Sequence, residues 1–220
     1  HQTIAQSDPF GRLSWSKEFT GSYSAGPDWN ATPYGKAQYT YNVRDQLTEV
    51  LDPDGNPTEI HYNGYGLKES MVDPDMGGWS YAYDDVGNLK VQTDARGQTV
   101  CFYYDQINRL MGKHYRTDTI CPTWNKNPTL AARYYYDEDP ALYGESKGRR
   151  TRAEAYDANG TVSNTISWKY DQRGRITKDT RTIDGAPYAT SYSYDSLDRV
   201  SWMQYPDNEG VTIAYSAQGQ

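Results

Sequence analysis

One short pattern returns along this chain and governs what it can fold into. It is a tyrosine, an Asx residue, two loose positions, then Gly, Asn or Asp, a polar residue and an aliphatic one, complete in "YDDVGNL" from Tyr83. Aligned on the tyrosine, nine copies stand in register: "SDPFGRL" from Ser7, "YNVRDQL" from Tyr41, "YNGYGLK" from Tyr62, the copy at Tyr83, "YDQINRL" from Tyr104, "YDANGTV" from Tyr156, "YDQRGRI" from Tyr170, "YDSLDRV" from Tyr194 and "YSAQGQ" from Tyr215. Tyr41, Tyr62, Tyr83 and Tyr104 follow one another at steps of 21 residues, as do Tyr194 and Tyr215. Self-similarity at a fixed period marks a repeat architecture, with one supersecondary unit per period.

Each column has a physical reason. The second position holds Asp8, Asn42, Asn63, Asp84, Asp105, Asp157, Asp171, Asp195 or Ser216. Short side-chain oxygens there accept nearby backbone N–H groups and open a type I turn. Three residues on stand Gly11, Asp45, Gly66, Gly87, Asn108, Gly160, Gly174, Asp198 and Gly219, the residue types that best tolerate positive φ. A type I turn followed by a left-handed residue is a common hairpin connection.

The flanks read as strands. Tyr39, Ile60, Tyr81, Phe102, Trp168, Tyr192 and Ile213 each lie two residues before a repeat tyrosine, so both side chains share one face. Leu13, Leu47, Leu89, Leu110, Val162, Ile176 and Val200 open the return strands. A second set of turn signals closes the far end of the repeats: "DPDGN" at Asp52, "DPDMGG" at Asp73, "DARGQ" at Asp94, "DG" at Asp184 and "PDNEG" at Pro206. The prediction is an all-β fold, an antiparallel meander of ~21-residue hairpins without a helix, forming an open or spiralling sheet. Residues 1–220 are read as a single array. Loop insertions are expected near 21–35, 117–128 and 137–150, and the copy at Tyr136 begins "YDEDP" and then loses the pattern. A propeller is the rival fold, since two repeats match one blade's length, but the G-H…W-D signature is missing. The arginines after the Gly column, Arg12, Arg109, Arg175 and Arg199, are placed to lie over a neighbouring tyrosine ring or to be merely solvated.

Composition fits a thin sheet better than a thick core. The chain has 22 Tyr and 6 Trp against 3 Phe, with 36% hydrophobic residues overall. Tyr and Trp suit surfaces that are half wet. A net charge of −7 argues against nucleic acid or an anionic membrane as partner. No apolar run approaches the ~20 residues of a membrane span. The chain starts at His1, which is expected of a processed protein or a piece of a longer one.

Little in the sequence points to chemistry. The carboxylates mostly occupy turn positions, so a glycosidase pair is not singled out. His1, His61 and His114 have no metal spacing with cysteine or with one another, and His61 is expected on the face opposite Tyr62. "DPDGN" lacks the remainder of a calcium loop, and no G-x-S-x-G elbow occurs. No catalytic residue, cofactor or metal ligand is assigned. Cys101 and Cys121 lie 20 residues apart, about one repeat. Equivalent positions in successive repeats can be neighbours, so a disulfide pinning the 117–128 loop stands beside two separate buried thiols.

These motifs resemble the RHS/YD-repeat family, over most of the chain from Ser7 to Gln220. The family includes bacterial Rhs polymorphic toxins, the cocoons of insecticidal toxin complexes and the teneurins. The resemblance implies long hairpins wound into a hollow shell, which holds a toxin in the bacterial members and supports adhesion in teneurins. Its toxin members end the shell with an aspartyl self-cleavage site on paired Asp-Pro-x-Gly motifs. Here Asp52–Gly55 matches, whereas Asp73–Gly77 carries an extra residue, and both are read as turns. The function expected is a non-enzymatic, exported shell segment of bacterial type, scaffolding or encapsulating a cargo polypeptide or building a surface structure. Its partners would be neighbouring repeats of the same or identical chains. Two alternatives stand beside it: a filament or sheath subunit assembling through unpaired strand edges, and a glycan-binding or adhesion module using exposed Tyr and Trp, with Trp15, Trp29, Trp79, Trp124, Trp168 and Trp202 available.

Overall fold

In a computed structural model of the chain, residues 2–19, 33–124 and 131–216 are described. Most of the 21–35 loop, the end of the 117–128 loop, Trp29 and Gly219 therefore lie outside the described residues. The described strands are β1 (Gln2–Ser7), β2 (Leu13–Phe19), β3 (Gly35–Tyr41), β4 (Leu47–Leu51), β5 (Pro57–Tyr62), β6 (Lys68–Asp73), β7 (Gly77–Tyr83), β8 (Leu89–Thr93), β9 (Thr99–Tyr104), β10 (Leu110–Arg116), β11 (Ala132–Tyr136), β12 (Arg150–Tyr156), β13 (Val162–Tyr170), β14 (Ile176–Ile183), β15 (Ala186–Tyr194), β16 (Val200–Gln204) and β17 (Gly210–Thr212). The fold is all-β and antiparallel. Contacts divide the chain into two units, residues 1–99 with 117–119, and residues 100–116 with 120–220.

In the first unit each strand from β1 to β8 pairs with the next, antiparallel. The pairing runs on through β4 and β5, where Glu49 faces Glu59, so no break marks a propeller blade. Alternation is clean in β7, where Trp79, Tyr81 and Tyr83 are half-buried while Ser80 and Ala82 are exposed. Across the strand pair, Trp79 faces Met71 and Tyr83 faces Leu89. His61 is exposed and Tyr62 half-buried, as period-2 alternation requires.

In the second unit β10 pairs with β9 and β11, and the meander continues antiparallel to β17. A short helix, α1 (Pro140–Tyr143), departs from the helix-free expectation. It sits inside the 137–150 insertion and has local causes: Asp139 accepts from the Ala141 N–H, Pro140 opens the helix, and Gly144 ends it at φ 68°. No helix among the described residues is long and apolar enough to cross a membrane.

The described residues form almost no apolar core. Among the described residues only Phe19 and Cys101 are buried hydrophobics. Side chains are instead half-buried against their neighbours on a sheet face. Stability must therefore come from repeated local contacts, the condition of a quasi-one-dimensional array.

Candidate functional site

The element repeated most faithfully is the corner, and its geometry is nearly invariant. In the eight corners that begin at Asp8, Asn42, Asn63, Asp84, Asp105, Asp157, Asp171 and Asp195, the Asx N–H donates to the carbonyl four residues on at 2.7–3.0 Å. The N–H three residues on donates back to the Asx carbonyl at 2.9–3.2 Å. The Asx Oδ1 accepts two further backbone N–H groups, from the second and fourth residues after it, at 2.8–3.1 Å. Asp45, Asn108 and Asp198 take φ of 60–64° at the left-handed position, where other corners use glycine. The extra residue shows as a register shift beside Tyr41, Tyr62, Tyr83, Tyr156, Tyr170 and Tyr194. The far-edge corners at Asp52 and Asp94 repeat the same hydrogen bonds.

Corners are joined by the tyrosine of the following repeat. The hydroxyl of Tyr41 donates to the Leu13 carbonyl at 3.0 Å, that of Tyr62 to Leu47 at 2.9 Å and that of Tyr83 to Lys68 at 2.8 Å. In the second unit Tyr136 reaches Leu110, Tyr194 reaches Ile176 and Tyr215 reaches Val200, at 2.6–3.0 Å. The tyrosine thus packs its ring on the sheet and ties its tip to the strand one repeat back. Burial raises the Tyr83 and Tyr194 hydroxyls above their ordinary range, which keeps them neutral donors.

The Arg column does lie over rings. Arg12 stacks over Tyr41 at 4.8 Å, Arg109 over Tyr136 at 4.4 Å, Arg175 over Tyr194 at 4.5 Å and Arg199 over Tyr215 at 4.2 Å, each reaching the next repeat. Each also donates through Nε to the Asp of its own corner, at 2.7–2.8 Å. A third contact had no reading in the sequence. Arg12 reaches Asp45 at 2.6 Å, Arg109 reaches Asp137 at 2.7 Å and Arg175 reaches Asp198 at 2.5 Å. Asp45 and Asp198, at the left-handed position, therefore both tolerate positive φ and receive the arginine of the previous repeat, whereas Asp137 receives Arg109 from the first position of its corner. Where the column holds another residue, the corner persists: Gln46 donates to the Gly66 carbonyl at 2.8 Å, and Asn88 donates to Asp84 at 2.9 Å.

The copy at Tyr136 keeps part of the corner, although the Gly148 N–H donates to the Asp137 carboxylate rather than to its carbonyl and Asp137 itself takes φ 57°. Its Asp137 N–H donates to the Arg149 carbonyl at 3.2 Å, the bond other corners make to the fourth residue. Gly148 has φ 77°, the Arg149 guanidinium lies 5.7 Å from the Tyr170 ring, and the Tyr170 hydroxyl donates to the Arg150 carbonyl at 2.6 Å. The pattern "GRR" at 148–150 is thus the end of the corner, separated from "YD" by an insertion carrying α1. Gly144 bridges to Tyr170 and docks that insertion.

Beneath the insertion lies a polar cluster. Arg152 is gripped by Glu138, at 2.9 Å, and by Glu154. Tyr135 and Tyr156 both donate to Glu154 Oε2 at 2.6 Å, and the Thr151 hydroxyl donates to Glu138 at 2.7 Å. Burial pushes the Tyr135 hydroxyl far above its ordinary range, with the Glu154 carboxylate adding to the effect. Burial alone would lower the Arg152 guanidinium, but Glu138 and Glu154 outweigh it and hold the charge. Both carboxylates are committed to Arg152, so the cluster has the form of a buried structural network rather than a general acid–base pair.

Cys101 and Cys121 are joined by a disulfide. It anchors the described part of the 117–128 loop together with two further contacts. The Tyr103 hydroxyl donates to the Pro122 carbonyl at 3.0 Å, and the Trp124 ring packs 5.1 Å from that of Tyr103. Gly112 leaves room for Trp124, whose ring comes within 2.8 Å of where a Cβ would stand. Trp168 donates to Asp179 at 3.1 Å. The five described tryptophans are all half-buried, and no exposed tryptophan patch forms among the described residues. No group of three or more metal-ligating side chains occurs among the described residues.

No family model matches the chain. The chain is 24% identical over 199 residues to the double-stranded DNA deaminase toxin A of Burkholderia cenocepacia, a match covering 81% of this chain and 13% of that protein. Among solved structures it is similar to a chain of the TcdB2-TccC3 complex, with a TM-score of 0.71, 14% identity and coverage of 99% of this chain and 12% of that one. The complex TcdB2-TccC3-Cdc42 gives a TM-score of 0.70 at 15% identity, covering 99% and 11%. The Tc holotoxin pore of Photorhabdus luminescens gives 0.55 at 16% identity, covering 99% and 12%. The fold is therefore one found in chains of Tc toxin complexes. The chain spans little more than a tenth of the length of these proteins.

Proposed function

We propose that this chain is a wall segment of a β-shell of the RHS/YD-repeat kind, exported, and that it encloses a polypeptide cargo without itself being a catalyst. The observation that carries this reading is the corner-to-corner joint. A tyrosine hydroxyl and, in five repeats, an arginine fasten hairpins to the one before, while among the described residues almost nothing is buried as core. Such a sheet is stiff along its length and contributes surface rather than a cleft. The likeness to chains of Tc toxin complexes, and to a fraction of a bacterial toxin's length, supports a toxin as the cargo class. For the glycan-binding alternative the described tryptophans are half-buried, which leaves only exposed tyrosines such as Tyr65 and Tyr115 as stacking rings.

Limited proteolysis of the full-length protein containing this segment tests the reading. The enclosed polypeptide is expected to resist protease while the shell is intact. It is expected to become cleavable when Tyr83→Ala and Tyr194→Ala together loosen the joints. Equal cleavage of the cargo in both forms would overturn the encapsulating role.

A further inference from the structure

Strand lengths in the second unit do not match, and the mismatch leaves a step inside the sheet. β13, β14 and β15 run for 9, 8 and 9 residues, against 5 in β16 and 3 in β17. β15 is paired with β14 from Ala186 to Ser191, but it meets β16 only from Ser191 onward. Past Gln204 the chain turns away into β17. The Tyr205 N–H donates to the Glu209 carbonyl at 2.8 Å and the Asn208 N–H to the Tyr205 carbonyl at 3.0 Å. One side of residues 186–190 is thus left open beside a shorter hairpin.

The hairpin turn decides which backbone groups face the step. Asp184 and Gly185 take φ of 49° and 80°, the mark of a two-residue turn whose flanking residues, here Ile183 and Ala186, exchange both hydrogen bonds. Bonding to β14 then recurs at every second residue, Tyr188 and Thr190. Pro187 and Ala189 face the open side, and Pro187 has no N–H to offer. Two carbonyls and the Ala189 N–H remain, and no described residue bonds to Ala189 on that side. A proline in an open strand also limits indiscriminate pairing, so the step admits a short strand and not a long one.

The side chains around the step add selectivity. A groove of about 840 Å³ is lined by Pro187, Tyr188, Tyr205 and Val211, together with Asp207 and Glu209. No basic residue lines it. Asp207 Oδ1 accepts the Glu209 N–H at 3.0 Å, and neither carboxylate enters an ion pair with a described residue. Arg181, opposite Tyr188 on β14, lies against Asp179 at 3.8 Å. We propose that this step is a docking site for an extended segment of a partner polypeptide in which a basic residue stands two positions from an apolar one. The residue between them exchanges hydrogen bonds with Ala189, as in strand addition at an open edge. Side chains alternate, so its two neighbours point to the face that Tyr188 occupies. The apolar one packs on Tyr188 and Tyr205, and the lysine or arginine meets Asp207 and Glu209. Backbone donor and acceptor at strand spacing favour a peptide over a sugar, which would use the rings alone. Two backbone bonds and an exposed ion pair make a weak contact, strengthened when the segment is tethered nearby. The site is independent of what the sheet encloses.

Amide NMR of the 220-residue chain, titrated with the end-capped hexapeptide Thr-Val-Lys-Thr-Ile-Thr, tests it. The expected result is a set of saturable shifts confined to residues 186–190 and 205–211. Glu in place of Lys in the peptide should weaken binding about tenfold, and so should N-methylation of the middle Thr. The double variant Asp207→Asn, Glu209→Gln should bind the Lys and Glu peptides alike with no change in thermal midpoint, because both side chains are exposed. Absence of saturable shifts up to millimolar peptide would overturn the proposal. So would binding that ignores the N-methyl group or the two carboxylates, or a response to maltohexaose and not to the peptide. Shifts at the same amides that follow protein concentration alone would also overturn it, since a second copy would then fill the step. Each of those results leaves the enclosing role to be judged by proteolysis of the full-length protein.

Discussion

The two units use one corner but hold their repeats together differently. Among the described residues of the first unit, only Arg12 makes the full joint of corner Asp, next-repeat tyrosine and next-repeat Asp. Its later corners carry Gln46, Leu67 and Asn88 at that position, and the tyrosine hydroxyl bond does most of the joining. The second unit has Arg109, Arg149, Arg175 and Arg199 over rings, a disulfide, and the Glu138–Arg152–Glu154 network. It is also the unit that carries the insertion with α1. The contrast teaches that the Asx corner and the tyrosine latch suffice to make the sheet. The arginines, disulfide and buried network are reinforcement where the regular period is interrupted.

Removing the reinforcement should therefore damage the second unit and spare the first. The largest effect is expected from Glu154→Ala, which leaves Arg152 half-paired and two tyrosine hydroxyls without an acceptor. A loss of about 4 kcal/mol is expected. Urea denaturation measures it, and hydrogen exchange should rise in β11 to β13 while β5 to β8 keep their protection. Cys101→Ser, Cys121→Ser comes next. The pair closes a separation of 20 residues, and a loop of that size is worth about 3 kcal/mol. Trp124 fluorescence should report release of the loop.

Smaller effects sharpen the same contrast. Tyr83→Phe and Tyr194→Phe should each cost about 1 kcal/mol, the worth of one hydrogen bond, since both units share the latch. Arg109→Ala should cost about 1–2 kcal/mol, whereas Gln46→Ala should cost under about 0.5 kcal/mol. Equal losses at Arg109 and Gln46 would remove the distinction between the units' joints.

The smallest effect is on pH. At Asp105 and Asp171 burial pushes the carboxyl upward, but the hydrogen bonds from Arg109 and Arg175 together outweigh it and hold both below the ordinary carboxylate range. A carboxylate lowered in the folded state stabilises fully above its unfolded pKa of about 3.9 and loses that contribution as pH falls through the folded value. Acid titration of the thermal midpoint should thus be flat from neutrality to about pH 4 as far as these groups are concerned, and then decline. Asp105→Asn with Asp171→Asn should flatten that acid limb. The corners at Asn42 and Asn63 already lack the titrating group.

Much of this was legible in the sequence because the corner is a local object. Asx at the first position and Gly, Asn or Asp three residues on satisfy their own hydrogen bonds within five residues, so adjacent letters suffice to read them. The stacking of Arg12 on Tyr41 could be placed for the same reason, once the repeat fixed which corners are neighbours. The corner at Tyr136 escaped because its closing residues, Gly148 and Arg149, are displaced by an insertion that the backbone bridges at no cost in register. "GR" before a strand was the signal available. The Arg152 network was not legible, since Glu138, Arg152 and Glu154 meet only after the insertion folds back. Nor was the second role of Asp45 and Asp198, because a left-handed conformation already accounted for them.

The central claim is that these repeats are the wall of an enclosure. Electron cryo-microscopy of the full-length protein tests it most directly. The account predicts that Tyr41, Tyr62 and Tyr83 will be seen on successive hairpins of one continuous sheet that bounds a cavity containing separate polypeptide density. A map in which these hairpins pack face to face into a solid core, with no enclosed space, would contradict it.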